Sequence, residues 1–126
     1  MTTLLCLGLG YCARFYLAEF GSRFDRVIGT SRSPEKTATR GAARLVFDGV
    51  QPSPALRHVI ADTSHLLISA APGEGGDPIL GLLAFDMASA PRLQSIVYVS
   101  WLGVYGDHGG AWIDESAPTL PPHTRG

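Results

Sequence analysis

The stretch "LLCLGLGYCARFYLAEF", residues 4–20, connects a short apolar run to a segment of helical period through two closely spaced glycines. Gly8, Gly10 and Ala13 have the spacing G-x-G-x-x-A, directly after the run and directly before the predicted helix. In that position the first glycine permits a sharp turn, the second lets a phosphate approach the backbone, and the small third residue lets helix and strand pack closely. The start of the helix also offers unpaired N–H groups to an anion. The pattern therefore predicts a phosphate-binding turn; the alternative is a glycine-rich turn without a ligand.

Short apolar runs alternate with helical segments along the whole chain of 126 residues. This alternation is typical of successive β-α units, and hence of a parallel sheet covered by helices on both faces. We therefore predict one α/β domain over residues 1–126, with a parallel sheet in three layers, α/β/α. Together with the glycine turn, this is a Rossmann-type doubly wound sheet, and the dinucleotide-binding fold implies the strand order 3-2-1-4-5. The five predicted strands cover residues 3–7, 26–29, 44–47, 66–70 and 95–100.

Helices are predicted in the connections between these strands. They cover residues 11–20, a segment from 33 onward, residues 54–61 and residues 77–90. Gly21 is expected to end the first helix, and Asp77-Pro78 supplies a cap and a first-turn proline for the last. Apolar residues at spacings of three and four predict one buried face on that last helix, made of Ile79, Leu82, Leu83, Met87 and Ala90.

The end of the second predicted strand bears on the choice of nucleotide. A dinucleotide-binding fold that prefers NAD has an Asp or Glu there, about 20 residues after the glycine turn, which binds the ribose 2′-hydroxyl. In this chain Thr30 and Ser31 take that position and Arg32 follows. Two hydroxyls and a guanidinium can bind a 2′-phosphate that a carboxylate would repel. NADP is therefore favoured over NAD, unless Arg32 is an ordinary solvated residue beside a helix cap.

Two later strand ends also carry candidate cofactor contacts. Asp48 ends the third predicted strand, where ligands of open α/β sheets bind, so that it either contacts adenine or forms an ordinary turn. Ser69, Ala70, Ala71 and Pro72 end the fourth with small residues, which would let a cofactor pass closely. The alternative for this second stretch is a buried strand followed by a flexible loop.

Composition argues against several classes of partner and site. The formal net charge is −1 and the nine arginines are scattered, so no basic surface for nucleic acid or an anionic membrane is expected. No apolar run reaches the length of a membrane span or a signal peptide, and we expect a cytoplasmic protein. Cys6 and Cys12 are expected to be reduced, buried or half-buried thiols. The histidines lack metal-ligand spacing, so no metal site is expected.

Four stretches together resemble the short-chain dehydrogenase/reductase superfamily, in particular its extended and atypical branches with NAD(P)-dependent epimerases and dehydratases. They are "LGLGYCA" (7–13), "GTSRSPEK" (29–36), "SAAPG" (69–73) and "VYGDHGGAWIDE" (104–115). The resemblance implies a Rossmann domain that binds NADP. With the positions argued above, the expected cofactor-binding residues are Gly8, Gly10, Tyr11, Cys12, Ala13, Thr30, Ser31, Arg32, Asp48, Ser69, Ala70, Ala71 and Pro72.

The catalytic pattern of the superfamily is only partly present. Its enzymes use a Ser or Thr after the fifth strand and a Tyr-x-x-x-Lys pair as general acid/base for hydride transfer. Here Trp101 aligns with the usual hydroxyl, Ser100 lies one residue earlier, and Lys36, the only lysine, is not part of such a pair. Ser100 and Tyr105 are the remaining catalytic candidates.

The loop after the fifth predicted strand leaves further alternatives open. Asp107 and His108 would either contact a substrate or form a polar turn among glycines. The superfamily builds its substrate pocket from residues beyond this point, so we expect the cofactor-binding part alone, a C-terminally incomplete member with the fifth strand as an exposed edge.

Two functions are compatible with these residues. The first is the NADP-binding domain of a reductase or epimerase/dehydratase-like oxidoreductase that acts on a small molecule. The second is a non-catalytic NADP(H)-binding sensor or regulatory module, which the missing Tyr-x-x-x-Lys pair favours. A defective fragment that folds poorly and binds nothing is a third reading, and an oligomer is compatible with all three.

Overall fold

The computed structural model describes residues 1–34 and 41–122, which form one parallel sheet with helices on both faces. The strands are β1 (Thr3–Leu7), β2 (Arg26–Ser31), β3 (Ala43–Val46), β4 (His65–Ile68) and β5 (Ser95–Tyr98). The helices are α1 (Tyr11–Phe20), α2 (Pro54–Asp62) and α3 (Pro78–Ala88). All neighbouring strands pair in parallel, in the order β3-β2-β1-β4-β5. The predicted α/β, doubly wound Rossmann fold is confirmed, with the predicted strand order.

Two strands are shorter than the apolar runs that predicted them. The backbone N–H groups of Ser69 and Ala70 both donate to the Leu7 carbonyl, at 3.1 and 3.0 Å. This shared acceptor breaks the ladder, so β4 ends at Ile68 and not at residue 70. Likewise β5 ends at Tyr98. The predicted extensions over 69–70 and 99–100 were therefore wrong because the chain leaves the sheet while its residues are still small or apolar.

One face of the sheet packs against α2 and α3. Alternate strand residues such as Leu5 and Leu66 are fully or almost fully buried there, together with the helix residues. In α3 the buried residues are Ile79, Leu83 and Met87. Leu82 was predicted on the same face but is 36% exposed. The i, i+4 stripe alone fills the space above the sheet, so the buried face is narrower than the periodicity predicted.

The other face packs against α1, which buries only Ala13 and Leu17. Tyr11 and Phe15 are 84% and 64% exposed, so the helix is less amphipathic than its sequence indicates. The helix ends at Phe20 with Gly21 as its C-cap, as predicted, and a 3-10 turn follows over Gly21–Arg23. The helix predicted from residue 33 onward falls largely on residues 35–40, outside the described residues.

The strand β5 lies at the edge of the sheet, as predicted, and all four of its residues are exposed. It is tied to α3 by the Tyr98 hydroxyl, which donates to the Asp77 carboxylate. This hydrogen bond, then partial burial and the negative charge of the carboxylate, raise the pKa of Tyr98 to about 12. Asp77 also caps α3 by accepting from the N–H of Ile79 at 2.8 Å. The expected coverage of both sheet faces therefore does not extend over β5.

The two cysteines differ in environment. Cys6 is completely buried in β1 and its pKa is raised to about 12 by burial. Cys12 is exposed in the first turn of α1, contrary to the expectation of a buried or half-buried thiol. Both are free thiols. In the part of the chain that the structure describes, no helix has the length and hydropathy to cross a membrane.

Candidate functional site

The glycine turn between β1 and α1 is held by the neighbouring strand ends on both sides. Gly8 has a φ of +102°, and a Cβ at this position would lie 2.8 Å from the backbone nitrogen of Ala70. Its N–H donates to the Thr30 hydroxyl at 2.9 Å, and its carbonyl accepts from the Ser69 hydroxyl at 2.7 Å. Gly8 is therefore required by its backbone conformation and by the close approach of the chain after β4.

Gly10 has a different reason to be glycine. Its φ is −87°, which any residue can adopt, and a Cβ there would meet no protein atom within 4 Å. No side chain caps the helix at this residue, and the first turn of α1 has no acidic residue. At the start of α1, therefore, no capping side chain occupies the first N–H groups and no carboxylate of the first turn offsets the positive end of the helix dipole. Such a helix start suits an anion.

The residue between the two glycines locks the turn to β2. Leu9 donates its N–H to the Thr30 carbonyl at 2.8 Å, and its side chain is buried. A Cβ on Gly29 would lie 2.3 Å from the Leu9 side chain, so β2 needs glycine opposite the turn. Ala13 is completely buried below it, as expected for the small third position. Gly29 was not among the predicted site residues, although a glycine inside an apolar strand signals close packing.

A groove at the carboxyl ends of the strands collects seven of the predicted cofactor residues, namely Gly8, Thr30, Ser31, Arg32, Asp48, Ala70 and Ala71. Four lining residues were not predicted: Phe47, Gly49, Pro78 and Ile79. The start of α3 thereby forms part of the wall. Pro78 carried a signal for this position, because a first-turn proline after the fourth strand places that helix start at the same edge of the sheet. We call this the carboxyl-edge groove.

The polar groups around this groove differ in how far they are already engaged. Thr30 is buried, 3% exposed, and its hydroxyl oxygen accepts from Gly8. The Ser31 hydroxyl donates to the Ser33 carbonyl at 2.9 Å, whereas Arg32 is exposed. Asp48 accepts from the N–H of Val50 at 2.8 Å, so it forms the ordinary turn and lines the groove as well.

The remaining predicted cofactor residues lie outside this groove. Tyr11 and Cys12 are exposed on α1, and Pro72 is half-buried after β4. Ser69 supports the turn through Gly8 and does not line the groove. Cys12 lines a second, apolar groove between α1 and the β4–β5 side of the sheet, with Leu4, Tyr16, Phe24, His65, Leu66, Leu67, Ser95, Val97 and Val99. We call this the flank groove.

The catalytic candidates lie beyond the carboxyl end of β5. Ser100 is exposed, and Tyr105 is half-buried at the end of a 3-10 turn, Leu102–Tyr105. Neither residue lines the carboxyl-edge groove or the flank groove. The Trp101 ring packs against Gly103, where a Cβ would lie 2.3 Å from the indole. Trp101 therefore covers the start of this turn at the position where a hydroxyl was expected.

The polar residues that follow Tyr105 are engaged in local turns. His108 donates from Nε2 to the Tyr105 carbonyl at 2.8 Å, and this bond fixes its proton on Nε2 when the ring is neutral. Asp107 accepts from the N–H of Gly109 at 2.7 Å. Both residues thus take part in the polar turn, and contact with a substrate stays a prediction. Among the described residues, no group of three His, Cys, Asp or Glu side chains could hold a metal ion.

Comparison with solved structures identifies the fold. The chain matches a functionally unknown conserved protein from Silicibacter pomeroyi with 41% identity and a TM-score of 0.80, over 99% of this chain and 44% of that one. It matches UDP-N-acetylglucosamine 4-epimerase from Bacillus cereus with 17% identity and a TM-score of 0.69, over 99% of this chain and 49% of that one. The chain has the Rossmann fold of these two proteins. The resemblance to the extended short-chain dehydrogenases/reductases is thus confirmed for the fold.

Two other proteins with this Rossmann fold were solved with bound nucleotides. The Bordetella bronchiseptica enzyme WbmG, in complex with NAD and UDP, matches with 12% identity and a TM-score of 0.68 over 97% of this chain and 44% of that one. Gre2 from Candida albicans, in complex with NADPH, matches with 16% identity and a TM-score of 0.64 over 83% and 38%. This chain spans less than half the length of each of these structures. No protein-family model and no curated protein matches it.

Proposed function

We propose that this chain is the NADP(H)-binding domain of a reductase or of an epimerase/dehydratase-like oxidoreductase. The observation that carries the proposal is the glycine turn, held between β2 and β4, beside a groove that ends in Arg32 and contains no acidic residue at the end of β2. Proteins of the same fold bind NAD in one case and NADPH in another. The fold alone therefore supports a nicotinamide dinucleotide, and the residues after β2 support NADP.

The pyrophosphate would bind at the start of α1. Gly10 leaves the space beside its Cα free of protein atoms, and no acidic side chain lies in the first turn to compete. The N–H groups of Tyr11 and Cys12 lie in that turn, so these residues would contribute backbone donors and not side chains. Their exposed side chains are consistent with this role. Ala13 supports the turn from below by letting α1 pack on the sheet.

The 2′-phosphate would bind at the end of β2. Thr30 is buried and engaged with Gly8, so its part in the proposal is to orient the turn. Ser31 and Arg32 line the groove and would meet the phosphate. A guanidinium forms charge-assisted hydrogen bonds to phosphate that are about twice as strong as neutral ones. No carboxylate in this position repels the additional charge, which is why NADP is preferred in the proposal over NAD.

The adenosine would lie across the carboxyl-edge groove. Phe47 and Asp48 form one side, after β3, while Pro78 and Ile79 at the start of α3 form another. The small residues from Ala70 to Pro72 would let the cofactor pass over the end of β4 toward β5. This path leads to the loop that carries Ser100 and Tyr105.

Bound nicotinamide would supply hydride transfer to or from a small-molecule substrate. The chain offers Ser100 and Tyr105 as residues that could touch that substrate, both beyond the carboxyl end of β5. A specific observation favours the second candidate, an NADP(H)-binding module without turnover. Trp101 covers Gly103 where the catalytic hydroxyl was expected.

Titration with NADPH and NADH tests the cofactor proposal. Transfer of energy from tryptophan to the reduced nicotinamide reports binding, and Arg32→Gln serves as the variant. We expect NADPH to bind at least about tenfold tighter than NADH, which is about 1.4 kcal/mol, and Arg32→Gln to remove most of the difference. Equal or tighter binding of NADH would overturn the NADP preference. Absence of binding by the folded chain up to millimolar concentrations would overturn the cofactor site itself.

Turnover separates the two candidate functions once binding is seen. Oxidation of NADPH is followed with a panel of aldehydes and ketones, for the wild-type chain and for Tyr105→Phe and Ser100→Ala. Turnover that either substitution abolishes would establish an enzyme. Tight binding without turnover of any carbonyl compound in the panel would favour the non-catalytic module for this chain.

A further inference from the structure

The side chain of Arg14 is held against the glycine turn. It is the fourth residue of α1, and its Nε donates to the carbonyl of Leu9 at 3.1 Å. Leu9 is the residue between the two glycines, and its own N–H donates to the Thr30 carbonyl at 2.8 Å. This pair of bonds links the Arg14 guanidinium, through one residue, to the carboxyl end of β2. The sequence pattern of the turn did not single out Arg14.

The geometry of α1 places Arg14 on the β2 side of the helix. Successive residues of an α-helix are rotated by about 100° around its axis. Ala13 points into the sheet, and Cys12 and Tyr16 line the flank groove on the β4–β5 side. Cys12 precedes Ala13 and Arg14 follows it, so their side chains lie about 100° to either side of Ala13 around the helix axis. It therefore lies on the side of α1 where Ser31 and Arg32 leave the sheet.

The charge of Arg14 is available to a ligand. Its bond to Leu9 uses Nε, and within residues 1–34 and 41–122 neither terminal nitrogen has a hydrogen-bond partner. In the same ranges no carboxylate forms an ion pair with Arg14. The residue as a whole is exposed. A guanidinium with five donors, one of them fixed, presents the remaining donors in a planar fork that matches phosphate oxygens.

We propose that Arg14 is a second cationic ligand of the 2′-phosphate of NADP, which it binds together with Arg32 from the opposite side. This inference rests on the proposed function, because it assigns a residue to the same subsite. Arg32 lies on an exposed segment after β2, whereas Arg14 is oriented in advance by the Leu9 carbonyl. Less conformational freedom is lost when such a side chain binds, so it contributes more of its interaction to affinity.

The test compares adenosine 2′,5′-bisphosphate with adenosine 5′-monophosphate, which differ only in the 2′-phosphate. Calorimetric titrations are made with wild type, Arg14→Gln, Arg14→Lys, Arg32→Gln and a matched control, Arg26→Gln. Arg26 is exposed at the opposite end of β2, so its substitution removes the same charge far from the subsite. We expect Arg14→Gln to weaken the bisphosphate about tenfold and the monophosphate less than about twofold. Arg14→Lys should retain part of the preference, and Arg26→Gln all of it.

Failure of this inference and failure of the proposed function give different results. In one outcome, wild type prefers the bisphosphate, Arg32→Gln has lost this preference and Arg14→Gln has kept it. Arg14 is then not a ligand of the 2′-phosphate, and the proposed function stands. If wild type binds both nucleotides equally, the NADP preference and this inference are both overturned. If Arg14→Gln weakens both nucleotides equally, Arg14 supports the turn and does not read the 2′-phosphate, which also overturns the inference. Circular dichroism of each variant establishes that it is folded.

Discussion

Substitution of Gly8 by alanine tests the role of the glycine turn in stability. The φ of +102° is strained for any residue with a side chain, at a cost of about 1–3 kcal/mol. In addition, the new Cβ would lie 2.8 Å from the Ala70 nitrogen and 3.0 Å from its Cα, and such overpacking costs about 1–3 kcal/mol. The sum, about 2–6 kcal/mol, is a large share of the roughly 5–15 kcal/mol that stabilises a domain. We therefore expect Gly8→Ala to unfold at much lower urea concentration.

The measurement is urea unfolding followed by circular dichroism, with Gly10→Ala as the matched control. The control adds the same methyl group two residues away, at a φ of −87° and with no protein atom within 4 Å. Its stability should change by less than about 1 kcal/mol, whereas Gly8→Ala should lower the midpoint by at least about 1 M urea. If both variants unfold like wild type, the turn does not have the described conformation. Equal losses from both would refute the assignment of the strain to Gly8.

Three further predictions concern other parts of the fold. Asp77→Ala should lower the free energy of unfolding by about 1–2 kcal/mol because it removes the cap of α3, and Asp77→Asn should lower it less. Urea unfolding measures both changes, and equal stability of both variants and wild type would contradict the role of Asp77 as the cap. The raised pKa of Cys6 keeps its thiol neutral in the folded chain, whereas the thiol of the unfolded chain ionises above about pH 9. The free energy of unfolding should therefore fall by about 1.4 kcal/mol per pH unit as the pH rises from about 9 toward 12. The Cys6→Ala variant should lack this contribution to the pH dependence. Alkylation under native conditions followed by mass spectrometry should label exposed Cys12 quickly and buried Cys6 only on unfolding; equal labelling rates would contradict the burial of β1.

The sequence was sufficient to predict the fold because several local signals agree. The spacing of Gly8, Gly10 and Ala13 lies between a strand and a helix, and the alternation of elements indicates a parallel sheet. Together they indicate a dinucleotide-binding fold, whose strand order the structure has. The boundaries were less predictable, since they depend on hydrogen bonds between distant segments. The end of β4 is set by the Leu7 carbonyl, which accepts two N–H groups from the other strand. No local pattern around residues 69–70 contains that information.

The candidate site was predicted at its centre but not along its walls. The glycine turn, Arg32 and Asp48 carry recognisable residue types at strand ends. Phe47 and Ile79 are apolar residues that periodicity assigns to the core, so nothing local marks them as groove residues. Arg14 reaches the turn only through the hydrogen bond to the Leu9 carbonyl, which depends on its side-chain conformation.

The central claim is that a dinucleotide binds along the carboxyl edge of the sheet, between the glycine turn and Arg32. The most direct test is titration of the isotopically labelled chain with NADPH, in which amide chemical shifts report which residues the ligand affects. We expect the largest changes at Gly10, Arg32, Asp48 and Ala71, with small changes in the flank groove at Leu66 and Val97. Shifts confined to the flank groove, or no shifts in a folded chain at millimolar NADPH, would contradict this claim.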